Sequence, residues 1–146
     1  MSSKTFEDLA KSMKDIDFCM LCTNGGGGVI STRPMSNNRD VEYDGDSYFF
    51  SYEETRKVEE IAGNPSTTLT FTAPPSLFGK PGIFIAVQGD ASVIKDRAAM
   101  EKHWVADLDR WFPEGLDTPG IVMIRVRAAE ISYWDGEENG SFSRPF

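Results

Sequence analysis

The sequence predicts a mainly-β (α+β) domain in which six antiparallel strands form a small barrel with helices at its ends. Three observations carry this reading. Six segments read as strands and three as helices, in the order helix, three strands, helix, two strands, helix, strand. The connections between the early strands are short, which favours antiparallel neighbours. With 146 residues, 40% of them apolar and 12% aromatic, the chain can build one core, so residues 1–146 are read as a single domain.

The first helix is expected over residues 5–14. Thr5 caps it with Asp8 three residues on, and Phe6, Leu9, Ala10 and Met13 form one apolar stripe. The first strand runs from Phe18 to Thr23, Asn24 to Gly28 turn, and a second strand returns from Val29 to Met35. Ser36 to Arg39 reads as a polar turn. Asp44-Gly45 is a hairpin signal before a short aromatic strand, Tyr48 to Ser51. A helix from about Arg56 to Gly63 buries Val58, Ile61 and Ala62, and Gly63-Asn64-Pro65 stops it.

The fourth strand, Ser66 to Ala73, sets Thr68, Thr70 and Thr72 on one face against Leu69 and Phe71 on the other. Residues 74–82, rich in proline and glycine, form a loop that carries Leu77 and Phe78. A long fifth strand spans Ile83 to Ile94, with Gly89 marking a bulge or a close backbone approach. Asp96 caps a third helix that extends to about Phe112 on the spacing of Met100, Trp104, Leu108, Trp111 and Phe112. The sixth strand runs from Ile121 through Trp134, and residues 135–146 are expected to fray.

Composition narrows the function. A net charge of −8 opposes binding by phosphate neutralisation, so nucleic acid is not expected as a partner, nor is an anionic membrane surface. No apolar run reaches the ~18 residues of a membrane span, and Met1-Ser2-Ser3-Lys4 opens no apolar signal core, which makes the cytoplasm the expected compartment. The glycine run at Gly25–Gly28 leads into a strand rather than a helix, so it reads as a hairpin turn and not as a phosphate loop. Cys19 and Cys22 sit in a strand, where residues three apart point to opposite faces. They are read as buried structural thiols rather than a redox pair. With two cysteines and one histidine, His103, no metal site is expected. No nucleophile–base constellation is present.

One stretch stands out, from Ser31 to Ile61. Its helix begins with Arg56 and Lys57, where the helix dipole favours anions. A phosphate at this end would be held by the two cations, the free N–H groups of the first turn and the Thr55 hydroxyl, with Arg33 closing the pocket from the neighbouring strand. The competing reading pairs Arg56 and Lys57 with Glu53, Glu54, Glu59 or Glu60.

In order and spacing, several pieces of the chain resemble the flavin-binding split-barrel family that includes pyridoxamine 5'-phosphate oxidase, and within it the bacterial general stress proteins. These pieces are Ser31-Thr32-Arg33-Pro34-Met35, Phe49-Phe50-Ser51, Arg56 to Ile61, Asn64-Pro65, Val87 to Ala91, Trp111 to Gly115 and Tyr133-Trp134-Asp135. The resemblance spans about Phe6 to Trp134. It implies a six-stranded split barrel, a homodimer and FMN at the subunit interface, with FAD, a deazaflavin or haem as other occupants of the same pocket. Haem fits poorly with a single histidine and no haem-ligand motif.

By the same resemblance Arg33 reaches the phosphate and ribityl region, Pro34 and Met35 run along the ring, Phe50 and Ser51 lie beside it, and Thr55, Arg56 and Lys57 bind the phosphate. Trp111 either lies over the flavin from the partner subunit or, with Trp104 and Phe112, fills the core or interface. Two departures matter. Phe84 stands where the oxidase has a glutamine that touches flavin, and Gly136 to Phe146 offers no counterpart of its substrate-binding arginine segment, so pyridoxamine phosphate oxidation is not carried over. The implied function is that of a stress-related FMN-dependent oxidoreductase acting on an unnamed small molecule. The rival is a flavin-binding or sensing protein that does not turn over.

Overall fold

The computed structural model describes residues 4–37 and 41–146. The expected absence of a signal at Met1–Ser3 and the end of the turn at Ser36–Arg39 lie outside the described residues. Among the described residues, three α-helices flank one antiparallel sheet of seven strands. The helices are α1 (Phe6–Lys14), α2 (Arg56–Gly63) and α3 (Arg97–His103). The strands are β1 (Phe18–Asn24), β2 (Ile30–Ser36), β3 (Asp46–Tyr52), β4 (Ser66–Thr72), β5 (Phe84–Ile94), β6 (Ile121–Asp135) and β7 (Glu138–Ser143).

The caps follow the local sequence. Thr5 and Asp8 form a reciprocal capping box on α1, and the stripe of Leu9, Ala10 and Met13 is buried. In β1 the alternation buries Cys19, Leu21 and Thr23. Cys19 and Cys22 do face opposite sides of the strand. Burial pushes the Cys19 thiol up to about 12, whereas Cys22 is only half-buried and donates from Sγ to Thr32 Oγ1 at 3.4 Å. A thiol reagent at neutral pH is therefore expected to label Cys22 and spare Cys19 in the folded protein, with both reacting after denaturation; mass spectrometry of the labelled peptides reads this directly.

The sheet order is β2-β1-β4-β5-β6-β3, and β7 adds to β6. Three expectations are corrected by it. First, residues 138–143 do not fray: they pair with β6 from Glu130 to Asp135. Beyond them Arg144 reaches Asp46 Oδ1 at 2.9 Å and Phe146 stacks on Phe6 at 4.9 Å, so the end of the chain closes over α1. Second, Asp44-Gly45 does not join two paired strands. β3 pairs with β6 instead, Asp46 opposite Arg127 and Tyr52 opposite Ile121, and so lies at the far end of the sheet from β2. Third, the helix expected over residues 96–112 breaks. Trp104 and Val105 are extended, and a 3₁₀ turn, Ala106–Arg110, follows. In a continuous helix Trp104 and Phe112 would stand ~12 Å apart along the axis. The break brings their rings to 6.0 Å, and Trp104 meets Phe50 edge-on at 5.0 Å.

β6 is long enough to serve two partners along one edge, β3 on Ile121–Arg127 and β7 on Glu130–Asp135. At the changeover the register with β5 shifts between Gln88 and Gly89. A Cβ at Gly89 would lie 2.1 Å from the Arg127 carbonyl oxygen, a contact that only backbone movement can relieve. Gly89→Ala is accordingly expected to destabilise the fold by about 2 kcal/mol in urea unfolding. The main core lies inside the curled sheet, where Leu21, Leu69, Val87, Ile124, Ile131 and Tyr133 are fully enclosed and α1 and α2 add Leu9, Met13, Val58 and Ile61. A second, smaller cluster of Phe50, Met100, Phe112 and Met123 lies under α3 and the 3₁₀ turn.

Candidate functional site

β2 and β3, the two ends of the strand order, are not paired with each other. Between them lies an open groove of about 340 Å³, lined by Pro34, Met35 and Ser36 from β2 and by Phe49, Phe50, Ser51 and Tyr52 from β3. Phe18 and the segment carrying Leu108, Trp111 and Phe112 complete its walls, and Lys57 enters from the start of α2. This volume falls in the range of small-molecule sites. A second chamber of about 230 Å³ shares Phe18, Ser36, Phe49, Phe50 and Leu108 with the groove and adds Asp17, Asp107 and Arg110. A separate cavity of about 30 Å³ below Tyr43 is only water-sized.

Of the residues singled out from the sequence, Pro34, Met35, Phe50, Ser51, Lys57 and Trp111 line one groove. Arg33, Thr55 and Arg56 stand behind its α2 end. Arg33 points inward along β2 and donates to Leu21 O at 3.1 Å, Thr23 Oγ1 at 2.7 Å and Glu60 Oε1 at 3.2 Å. Thr55 does not cap α2 through its side chain; its hydroxyl donates to the Tyr52 carbonyl at 2.9 Å. The start of α2, from which Lys57 enters the groove, thus has no side-chain cap from Thr55. Arg56 is largely exposed and lies 3.8 Å from Glu60.

Glu60 is the hub that sequence reasoning left among several possible partners. Its carboxylate accepts from Arg33, from Thr23 Oγ1 at 3.2 Å and from Ser31 Oγ at 3.3 Å, and its side chain is nearly buried. The spacing Arg56–Glu60 hinted at one of these contacts, but the cross-strand ones depend on the curl of β1 and β2 over α2. With Glu60 shared between two arginines, Lys57 is left over. Among the described residues no carboxylate lies within ion-pair distance of its ammonium group. Burial, and secondarily the nearby Arg33 guanidinium, push the Lys57 pKa below its ordinary value. A half-buried cation without a counter-ion, beside an uncapped helix start, suits an anionic group.

His103 and Arg144 lie outside the groove, and Trp111 stands on its wall. His103 stacks on Tyr48 at 3.6 Å, and burial lowers its pKa. Arg144 is taken up by Asp46 and by the Ala128 carbonyl, away from the groove. Trp111 is 54% exposed on the groove wall of its own chain. Phe18, Tyr52 and Leu108 line the groove without having been singled out; only their place at strand ends and in the 3₁₀ turn brings them there. Among the described residues no group of three metal-ligating side chains occurs, and no helix is long and apolar enough to cross a membrane.

The family described as pyridoxamine 5'-phosphate oxidase like matches the chain over residues 4–144. Among curated proteins, Protein bli-3 of Neurospora crassa is 24% identical over 135 residues, covering 86% of this chain; the chain spans 62% of that relative's length. A protein of Clostridium acetobutylicum related to general stress protein 26 of B. subtilis superimposes with a TM-score of 0.77 at 20% identity, over 92% of this chain and 90% of the other. A heme binding protein of Mycobacterium smegmatis gives 0.76 at 13% identity, over 98% of this chain and 60% of that one. A pyridoxamine 5'-phosphate oxidase-related, FMN binding protein of Nostoc punctiforme gives 0.64 at 14% identity, over 87% and 86%. At these identities the structural matches establish the fold.

Proposed function

The chain belongs to the pyridoxamine 5'-phosphate oxidase-like family, and from that premise we propose that it is a flavin-binding protein whose groove between β2 and β3 takes FMN. The observation that carries this reading is Lys57, a partly desolvated cation with no ion-pair partner among the described residues, at the start of α2, which Thr55 does not cap through its side chain. In the proposed complex Lys57 and the first N–H groups of α2 hold the phosphate. Arg33, anchored by Glu60, adds positive potential from behind. Pro34, Met35, Phe50 and Trp111 flank the ring, and Ser51 lies beside the ribityl chain. The FMN-binding relative of the same fold supports the choice of ligand.

When bound, the flavin supplies two-electron redox chemistry. The residues around the groove fit a role of holding and shielding: apart from Lys57 they are apolar, hydroxyl-bearing or backbone groups. A small-molecule redox partner, a homodimer and a role in stress response belong to the same proposal. So does a cytoplasmic setting. Haem is the weaker occupant, because the only histidine stacks on Tyr48 and does not line the groove.

Purification with release and mass analysis of any bound cofactor, followed by titration of the cofactor-free protein with FMN, tests the reading. Stoichiometric FMN binding supports it, and protein that fails to bind added FMN overturns it. Anaerobic reduction of the bound flavin by a nicotinamide donor, followed by transfer to an acceptor, separates an oxidoreductase from a sensor that does not cycle.

A further inference from the structure

The loop between β4 and β5 is an ordered arm. Ala73 N donates to Ile83 O at 3.0 Å at its base, and Ser76 N to Lys80 O at 2.8 Å, Gly79 N to Ser76 O at 2.9 Å and Lys80 N to Ser76 Oγ at 3.1 Å near its tip. The apex presents Leu77 and Phe78, which are 101% and 94% exposed. Water thus surrounds two large apolar side chains on a turn whose backbone is hydrogen-bonded in place, and that is the form of a preorganised anchor. The groove has the opposite character. Its walls expose Phe18, Tyr52 and Trp111, and it is open to solvent among the described residues.

Among the described residues, the strand rows between arm and groove carry no charge. Across the outer face of the sheet, one row of paired residues reads Pro34, Met20, Thr70, Ala86, Ser132. In the adjoining row Thr72, Phe84 and Trp134 stand side by side, with the two aromatic side chains 43% and 49% exposed. Between Glu60 and Asp90 the sole charged residue is Lys80, at the arm tip. The rim of the chamber that adjoins the groove, by contrast, carries Asp17 and Asp107 against Arg110. In a chain of net charge −8, self-association needs a face free of like charges, and this one also carries both a knob and a hollow. A patch that holds both halves of a contact is what a two-fold interface requires.

We infer that the arm is the reciprocal clasp of a homodimer: Leu77 and Phe78 of one copy enter the groove mouth of a second copy, and Lys80 meets the acidic rim beside it. The outer sheet faces pack between the two clasps. Each groove thereby gains an apolar wall from the other copy, and the exposed Phe84 and Trp134 come to lie in the seam. This rests on the dimer of the proposed function and not on the identity of the groove's ligand.

Two proteins with one accessible cysteine each test it, both in a Cys22→Ser background that keeps only the buried Cys19: one with Phe78→Cys, the other with Trp111→Cys. Mixed and gently oxidised, they are expected to give a disulfide-linked heterodimer, whereas Phe78→Cys mixed with Glu137→Cys, on the β6–β7 turn, gives none. A wild-type chain that sediments as a dimer without that cross-link overturns the clasp and leaves the dimer standing. A wild-type monomer overturns both. The double variant Leu77→Ser with Phe78→Ser is expected to raise the dimer dissociation constant at least tenfold with unchanged circular dichroism, and an unchanged constant contradicts the clasp.

Discussion

Replacing Lys57 by glutamate is expected to weaken FMN binding at least roughly a hundredfold while changing riboflavin binding by less than about threefold. The reason lies in what surrounds the ammonium group. Arg33 and Arg56 both lean on Glu60, so of these three cations Lys57 is the one whose charge is not answered among the described residues. A charge-assisted contact to phosphate contributes on the order of 2 kcal/mol, and a carboxylate in the same place adds repulsion. Riboflavin lacks the phosphate and should scarcely notice the change. Isothermal titration with both ligands separates the two outcomes, and equal losses for FMN and riboflavin would place the phosphate elsewhere.

The same residue predicts a pH effect whose sign can be worked out. In the ligand-free fold the Lys57 pKa is lowered, so between that value and the ordinary lysine value the unfolded chain binds more protons. Charged Lys57 thus detracts from stability at neutral pH, and this penalty disappears as pH rises through the window between the two values. A neutral replacement such as Lys57→Met should leave the ligand-free protein equally stable or slightly more so, even as it loses affinity for FMN.

Glu60→Ala is expected to lower stability by about 3 kcal/mol, or roughly 10 °C in melting temperature for a chain of this size. The glutamate side chain is only 8% exposed and the arginine 20%. Removing the carboxylate leaves Arg33 sheltered from water without its counter-charge, and Thr23 and Ser31 lose an acceptor. Glu60→Gln keeps the hydroxyl contacts and should cost about half as much. A melting shift of only a degree or two for Glu60→Ala would mean that the pair is solvated and the hub is not structural.

Most of the strands were legible because their signals are local. The Thr5–Asp8 capping box and the alternation of Leu69 and Phe71 with the threonines follow from neighbouring residues, and a glycine inside a strand pattern marked the close approach at Gly89 without naming Arg127 as its partner. What could not be read was set by contacts distant in sequence. Residues 138–143 are too polar to announce a strand and become one because the far half of β6 leaves an edge free. The break at Trp104 answers to Phe50, fifty-four positions earlier, and not to helical spacing. The groove residues were gathered from order and spacing, yet the division of labour among the three cations was hidden. It depends on which of them the curl of β1 and β2 sets over Glu60.

β2 and β3 face each other across the groove as two free sheet ends. In a fully hydrogen-bonded barrel the bore is fixed by strand number and stagger, and widening it breaks a ladder. Here the aperture is set by side chains such as Met35, Phe50 and Trp111, so it can be retuned by exchanging one of them while every backbone ladder stays intact. The scaffold therefore separates two properties that closed barrels couple: the rigidity of the sheet, and the thickness of the molecule it can grip.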